Sequence, residues 1–182
     1  MAYIPRVPGS LSKQSVEEAF RALDEVLPKE VTLIVGGGTA MILAYGIPVA
    51  TSDVDAYPVG LTTAELDPYV KRVAREKGLA PDWLNPYYET YAYVLPSDYR
   101  SRLREVFKGA RLLVRSLGPE DLLVMKCVAG RDKDRGHARA LLRAEPDLSV
   151  VERRLNDLAE KRYPGAQNAL DFFDDLLEEA GE

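Results

Sequence analysis

Val35-Gly36-Gly37-Gly38-Thr39-Ala40 closes a short apolar run, and Thr51-Ser52-Asp53-Val54-Asp55 follows shortly after it. Val31 to Val35 is rich in β-branched residues and reads as a strand. Thr39 to Tyr45 reads as a helix closed by Gly46 and Pro48. The glycines therefore stand where a strand turns into a helix. Without Cβ atoms they let backbone N–H groups come close to a phosphate, and the positive end of the following helix favours the negative charge. Asp53 and Asp55 lie one residue apart in Ser52 to Tyr57, which alternates polar and apolar residues as a half-buried strand does. On a strand both carboxylates leave the same face, with Cα atoms roughly 7 Å apart. So placed, they can share divalent cations, which neutralise a triphosphate, lower the pKa of an attacking hydroxyl and stabilise the departing pyrophosphate. Each half also has an ordinary reading: three glycines can be a tight turn under a close helix, and paired aspartates can cap a turn. Their joint occurrence, with apolar Val54 between the acids, favours a site.

Around this pair the chain reads as alternating elements and then helices. Ser15 with Glu18 has the pattern of a capping box, and Val16, Ala19, Phe20, Leu23 and Leu27 recur at helical spacing up to Pro28. Pro58 and Gly60 are expected to end the Asp-bearing strand. Thr62 and Glu65 form a second capping box for a helix that runs to Gly78. Strands are expected around Thr90 to Leu95 and Ala110 to Arg115. Helices are expected over Glu120 to Ala129, led by Pro119, and over Asp134 to Arg143. A further helix, capped by Ser149 with Glu152, precedes an acidic amphipathic one from Gln167 to Leu177. The order predicts an α+β fold: a mixed β-sheet core flanked by helices over 1–118, with a C-terminal helical layer over 119–182 packed on it as one cooperative unit.

Composition limits the chemistry. Cys127 is the only cysteine and His137 the only histidine, so an intrachain disulfide and a Cys/His zinc cluster are excluded. A metal must be held by oxygen, which favours Mg2+ or Mn2+. The formal net charge of -5 argues against a protein that grips nucleic acid over its whole surface. Basic residues nevertheless outnumber acids from Arg100 to Arg143, which leaves room for a local anionic ligand or for solvated helix faces. No apolar leader or bilayer-length stretch is evident, so a cytoplasmic protein without membrane partners is expected. Cys127, flanked by apolar residues, reads as a small buried hydrophobe, and His137 as a helix-surface residue rather than a general base. Trp83, Tyr87, Tyr88, Tyr91, Tyr93 and Tyr99 lie close to the basic Arg100 to Arg104 segment. They could stack on a nucleobase or on single-stranded RNA, but core and strand aromatics explain them with less.

The glycine turn followed by Asp-x-Asp resembles the signature of the DNA polymerase beta-like nucleotidyltransferase superfamily. Within it the chain is similar to the minimal bacterial branch related to the AbiEii toxins of type IV toxin-antitoxin systems. The resemblance covers roughly Val31 to Leu142. Leu122-Leu123-Val124-Met125-Lys126-Cys127-Val128-Ala129-Gly130-Arg131-Asp132-Lys133-Asp134 is similar to that branch's Lys-x-x-Ala, Arg and Asp pattern. The resemblance implies a nucleotidyltransferase that takes a nucleoside triphosphate and Mg2+ or Mn2+, with an RNA or protein acceptor and a cognate antitoxin as further partners. It implies that Asp53 and Asp55 hold the metal and that Gly36, Gly37, Gly38 and Thr39 cradle the nucleotide. Lys126 and Arg131 would meet the triphosphate, and Asp134 would complete the site. On its own residues, Lys126 lies on a mainly apolar helix, where its ammonium group belongs in a cleft or at its rim beside carboxylates, or else snorkels at the surface. Asp134 alternatively caps the next helix. The chain departs from the pattern in three ways, the first being a slightly longer spacing from Gly38 to Asp53. Val49-Ala50 stands where many relatives have Arg before the Thr, and no third strand-borne carboxylate is obvious, Asp82, Glu89 and Asp132 being the candidates. A dinucleotide-binding reading of the glycines is weak, because the spaced third glycine is missing and Asp-x-Asp has no role there.

Overall fold

The computed structural model describes residues 11–86 and 93–181. By its internal contacts the chain divides into two compact units, one of Met1–Glu89 with Arg104–Ser116, the other of Thr90–Leu103 with Leu117–Glu182.

The first unit is an α+β layer structure. Helix α1 (Lys13–Val26) leads to strand β1 (Val31–Val35), helix α2 (Gly37–Tyr45), strand β2 (Val54–Val59), helix α3 (Thr63–Lys77), the short strand β3 (Leu84–Asn85) and the hairpin β4 (Arg104–Lys108) to β5 (Leu112–Ser116). The five strands form one mixed sheet in the order β3-β2-β1-β5-β4. β1 runs antiparallel to β2 and parallel to β5, β2 is parallel to β3, and β4 is antiparallel to β5. Phe20, Leu23, Leu33, Met41, Leu66, Val73, Trp83 and Leu112 are buried in its core. The Asp-x-Asp strand extends two residues beyond Tyr57. Pro58 lies inside it, opposite Leu33; among the described residues β3 pairs with β2 only at Val54 and Asp55, so no described strand needs the N–H that proline lacks.

Helix ends differ from the sequence expectation in detail. α1 is capped by Ser12, whose hydroxyl accepts from Ser15 N while Ser15 Oγ accepts from Ser12 N, so Ser15 is the partner in the box and not its cap. The Thr62/Glu65 box is present as expected, and α3 closes at Gly78 in the left-handed conformation. The β4–β5 turn is fixed from a distance: the Asp24 carboxylate on α1 accepts from the backbone N–H of Ala110, Arg111 and Leu112. In return, Arg111 donates to the carbonyl of Leu27 at the end of α1.

The second unit is helical: α4 (Pro119–Ala129), α5 (Asp132–Leu142), α6 (Leu148–Glu160) and α7 (Ala166–Ala180). Leu123, Val124, Cys127, Val151, Leu155, Phe173 and Leu176 pack together as its core. α6 is capped by Asp147, whose carboxylate takes the Ser149 N–H, so the expected cap Ser149 is instead the second residue of the helix. Around Thr90 to Leu95 a strand was expected. Tyr93 and Val94 instead lie in a 3-10 turn, and residues 90 to 92 lie outside the described residues. The carbonyls of Tyr93, Val94 and Leu95 all accept from the Arg154 guanidinium of α6, which satisfies groups that a sheet would otherwise pair. Among the described residues, no helix is long and apolar enough to cross a membrane.

Candidate functional site

In the first unit the structure gathers Gly36, Gly37, Gly38, Thr39, Asp53 and Asp55 at one end of β1 and β2. The end of β1 is held to β2 by Gly36 N donating to the carbonyl of Asp55 at 2.9 Å. Gly36 is extended and serves as the N-cap of α2, and Gly37 follows at φ +57°. Two independent constraints make Gly37 a glycine. Its backbone is left-handed, and a methyl group built on it would stand 2.0 Å from Asp55 Oδ2 and 3.0 Å from Asp55 Cγ. The Asp55 carboxylate thus lies directly over the glycine at the start of α2, where the helix dipole favours a negative group. A methyl group on Gly38 would meet the Thr51 side chain at 3.0 Å, so the third glycine lets Thr51 close over the turn.

Asp53 is fixed through both its main chain and its side chain. Its carbonyl accepts from Thr39 Oγ1 at 3.0 Å and from Thr51 Oγ1 at 2.9 Å. Thr39 is buried, so its hydroxyl serves the aspartate's backbone. The Asp53 carboxylate accepts from Asn85 Nδ2 at 3.0 Å, a donor from β3. Asp53 and Asp55 are both half-buried, while Val54 and Ala56, which alternate with them, are fully buried. The apolar pair anchors the strand and presents the acids on the opposite face.

The second motif forms a cluster of its own in the helical unit. Lys126, 7% exposed on α4, donates to Asp134 Oδ1 at 2.8 Å. Asp134, fully buried on α5, also accepts from Arg131 Nε at 2.6 Å and from Arg131 N at 3.3 Å. Burial raises the Asp134 pKa, but the Arg131 and Lys126 donors and charges lower it by more, so the carboxyl stays below its ordinary value and ionised. Asp134 is the N3 residue of α5 and closes a capping box on Arg131, so its carboxylate serves both the helix end and the two cations. Half of His137 is enclosed, where a surface position was expected. Its Nδ1 is buried without a partner among the described residues, and burial, followed by the charge of Lys126, lowers its pKa.

Of the candidates for a third carboxylate, Asp82 is exposed in the turn before β3, and Asp132 is exposed at the first residue of α5. Glu89 lies outside the described residues, as do Tyr87, Tyr88 and Tyr91. Trp83 is a core residue that donates from Nε1 to the carbonyl of Val70, whereas Tyr93 is partly exposed and stacks on Tyr163. Among the described residues, no three His, Cys, Asp or Glu side chains converge in a way that could hold a metal ion. Two carboxylates beside a glycine turn still fit Mg2+, which takes one or two protein carboxylates and draws its remaining ligands from phosphates and water. Sequence reasoning missed Thr51 and Asn85, since their roles depend on how β2, β3 and the glycine turn come together.

A family model described as "nucleotidyltransferase of unknown function (DUF6036)" matches residues 14–172. The chain belongs to this family. Neither a curated protein nor a solved structure matches it. The match takes in both the Asp53/Asp55 pair and the Lys126–Asp134 cluster.

Proposed function

We propose that this DUF6036 member is a metal-dependent nucleotidyltransferase that moves a nucleoside monophosphate from a triphosphate to a hydroxyl on an RNA end, a protein or a small molecule. The observation that carries this reading is the Asp55 carboxylate lying over Gly37 at the start of α2, beside the fixed Asp53. Asp53 and Asp55 are the residues that would hold Mg2+ or Mn2+, which when bound neutralises phosphate charge and activates the attacking hydroxyl. The chain's own contribution is positional. Gly36 to Gly38 admit a phosphate to the N–H groups at the start of α2. Thr39 and Thr51 hold the Asp53 main chain, and Asn85 orients its carboxylate. Lys126 and Arg131, both paired with the buried Asp134 in the helical unit, are the cations that the resemblance assigns to a triphosphate. Incubation of the purified chain with labelled triphosphates, Mg2+ and total RNA or cell lysate should label an acceptor, and the Asp53→Asn/Asp55→Asn double variant should not. Labelling that survives in that folded variant refutes the metal assignment.

The absence of a third converging carboxylate among the described residues favours one other reading, a nucleotidyltransferase fold that binds a nucleotide or a partner protein without catalysis. Calorimetry with Mg2+ and each triphosphate separates the two in part, because a relic that binds only protein takes up no nucleotide. A toxin role, in line with the AbiEii resemblance, predicts growth arrest on expression that the Asp53/Asp55 change relieves and a cognate antitoxin prevents.

A further inference from the structure

We propose that Asn85 is the positioning residue of this site: its amide, presented by β3, aims the Asp53 carboxylate at the metal, and no third carboxylate acts from that strand. The inference rests on the metal-dependent reading given above and names how one of its two acids is set.

Three observations converge on Asn85. It stands opposite Asp55 in the parallel β2–β3 register, so its side chain shares the face that carries both aspartates. Its Nδ2 donates to Asp53 Oδ2 at 3.0 Å, which engages one carboxylate oxygen and leaves the other to point elsewhere. Its place is rigid, because β3 is anchored just before it. Trp83, 1% exposed, donates from its indole to the Val70 carbonyl of α3, lies 6.3 Å from the Phe20 ring, and accepts from Val54 N at 2.7 Å. Among the described residues the β2–β3 pairing consists of Val54 with Leu84 and Asp55 with Asn85, at the acid-bearing end of β2.

The choice of an amide has chemical consequences. A carboxylate at this position would add a third negative charge about 3 Å from Asp53 and repel it whenever no cation is bound. An asparagine instead donates to the Asp53 anion without cancelling its charge, so the aspartate is oriented and keeps its full attraction for a cation. Outer partners of this kind, when removed, typically weaken metal affinity about tenfold to a hundredfold.

The test is Mn2+ binding to the full chain, read by the electron paramagnetic resonance signal of free Mn2+, with Trp83 fluorescence melting as a control for the fold. Asn85→Ala should weaken Mn2+ binding about tenfold or more. Asn85→Asp, which keeps the shape but replaces the donor by an anion, should weaken it as well, and it decides the matter if the alanine variant melts early. Unchanged affinity in the folded variants overturns the proposal. Tighter binding by Asn85→Asp also overturns it, by showing that position 85 is itself a ligand position. Binding by the wild type that ignores Asp53→Asn/Asp55→Asn, or no binding at all, sinks the metal-dependent reading and this inference together. Loss of Mn2+ in that double variant with indifference at position 85 sinks the inference alone.

Discussion

Gly37→Ala tests the geometry on which the site depends. The substitution forces an L-residue to hold φ +57°, at a cost of about 1–2 kcal/mol. It also sets a methyl group 2.0 Å from Asp55 Oδ2, so the carboxylate must swing away, and an off-rotamer side chain costs about 0.5–1.5 kcal/mol. Together these give about 1.5–3.5 kcal/mol, or a fall in melting temperature of about 5–10 °C at the middle of that range for a chain of this size. The first unit has a built-in reporter, because Trp83 is the only tryptophan and is buried there. Urea unfolding followed by its fluorescence therefore reads the part of the molecule that contains Gly37. The decisive measurement is a double-mutant cycle with Asp55→Ala. Once the carboxylate is gone, Gly37→Ala should cost only the backbone strain, leaving a coupling of about 0.5–1.5 kcal/mol between the two positions. Additive effects would mean that Asp55 does not lie over Gly37, and the reasoning for the site would fail. A Gly37→Ala variant as stable as the wild type would refute the left-handed turn as well.

Asp134→Asn removes the carboxylate from a buried ion pair and leaves Lys126 enclosed without its counter-charge, so the helical unit should lose about 3–5 kcal/mol, read by far-UV circular dichroism in urea. Because the folded Asp134 pKa is lowered from 3.8, its contribution is fully present above that value and is lost as pH falls through the lower folded one. The acid limb of the wild-type stability curve should therefore be steeper than that of the variant. Burial pushes the Cys127 thiol up to about 12, so the native chain at pH 8 should resist thiol-modifying reagents and react only as it unfolds; fast stoichiometric labelling of the folded chain would contradict its place in the core.

What the sequence made legible was local. The glycine turn, the Asp-x-Asp spacing, the Thr62/Glu65 box and Pro119 at the head of α4 are each written within a few residues, and local backbone rules suffice to read them. Lys126 beside a carboxylate was legible for the same reason, since Asp134 follows two turns later along a helix–turn–helix path. β3 escaped because two residues carry no periodicity, and β4 because a bulge between Glu105 and Phe107 breaks its alternation. Asn85 and Thr51 escaped for a different reason. Their partners are set by strand register and by how closely a glycine lets another segment approach, which are properties of pairs of segments.

The two motifs spend their charge in opposite ways, and this contrast bears on which of them recruits a cation. Asp134 accepts from Lys126 and from Arg131, so its negative charge is consumed inside the fold. Asp53 is held by a neutral amide at its side chain and by two neutral hydroxyls at its carbonyl. A carboxylate fixed by neutral donors loses orientational freedom without losing charge, and it stays half-buried, where solvent screens that charge less than at an open surface. Next to it, Asp55 projects from the same face of β2. A divalent cation taken up by both acids would use the geometry already in place and supply the charge that Asp53's neutral donors do not.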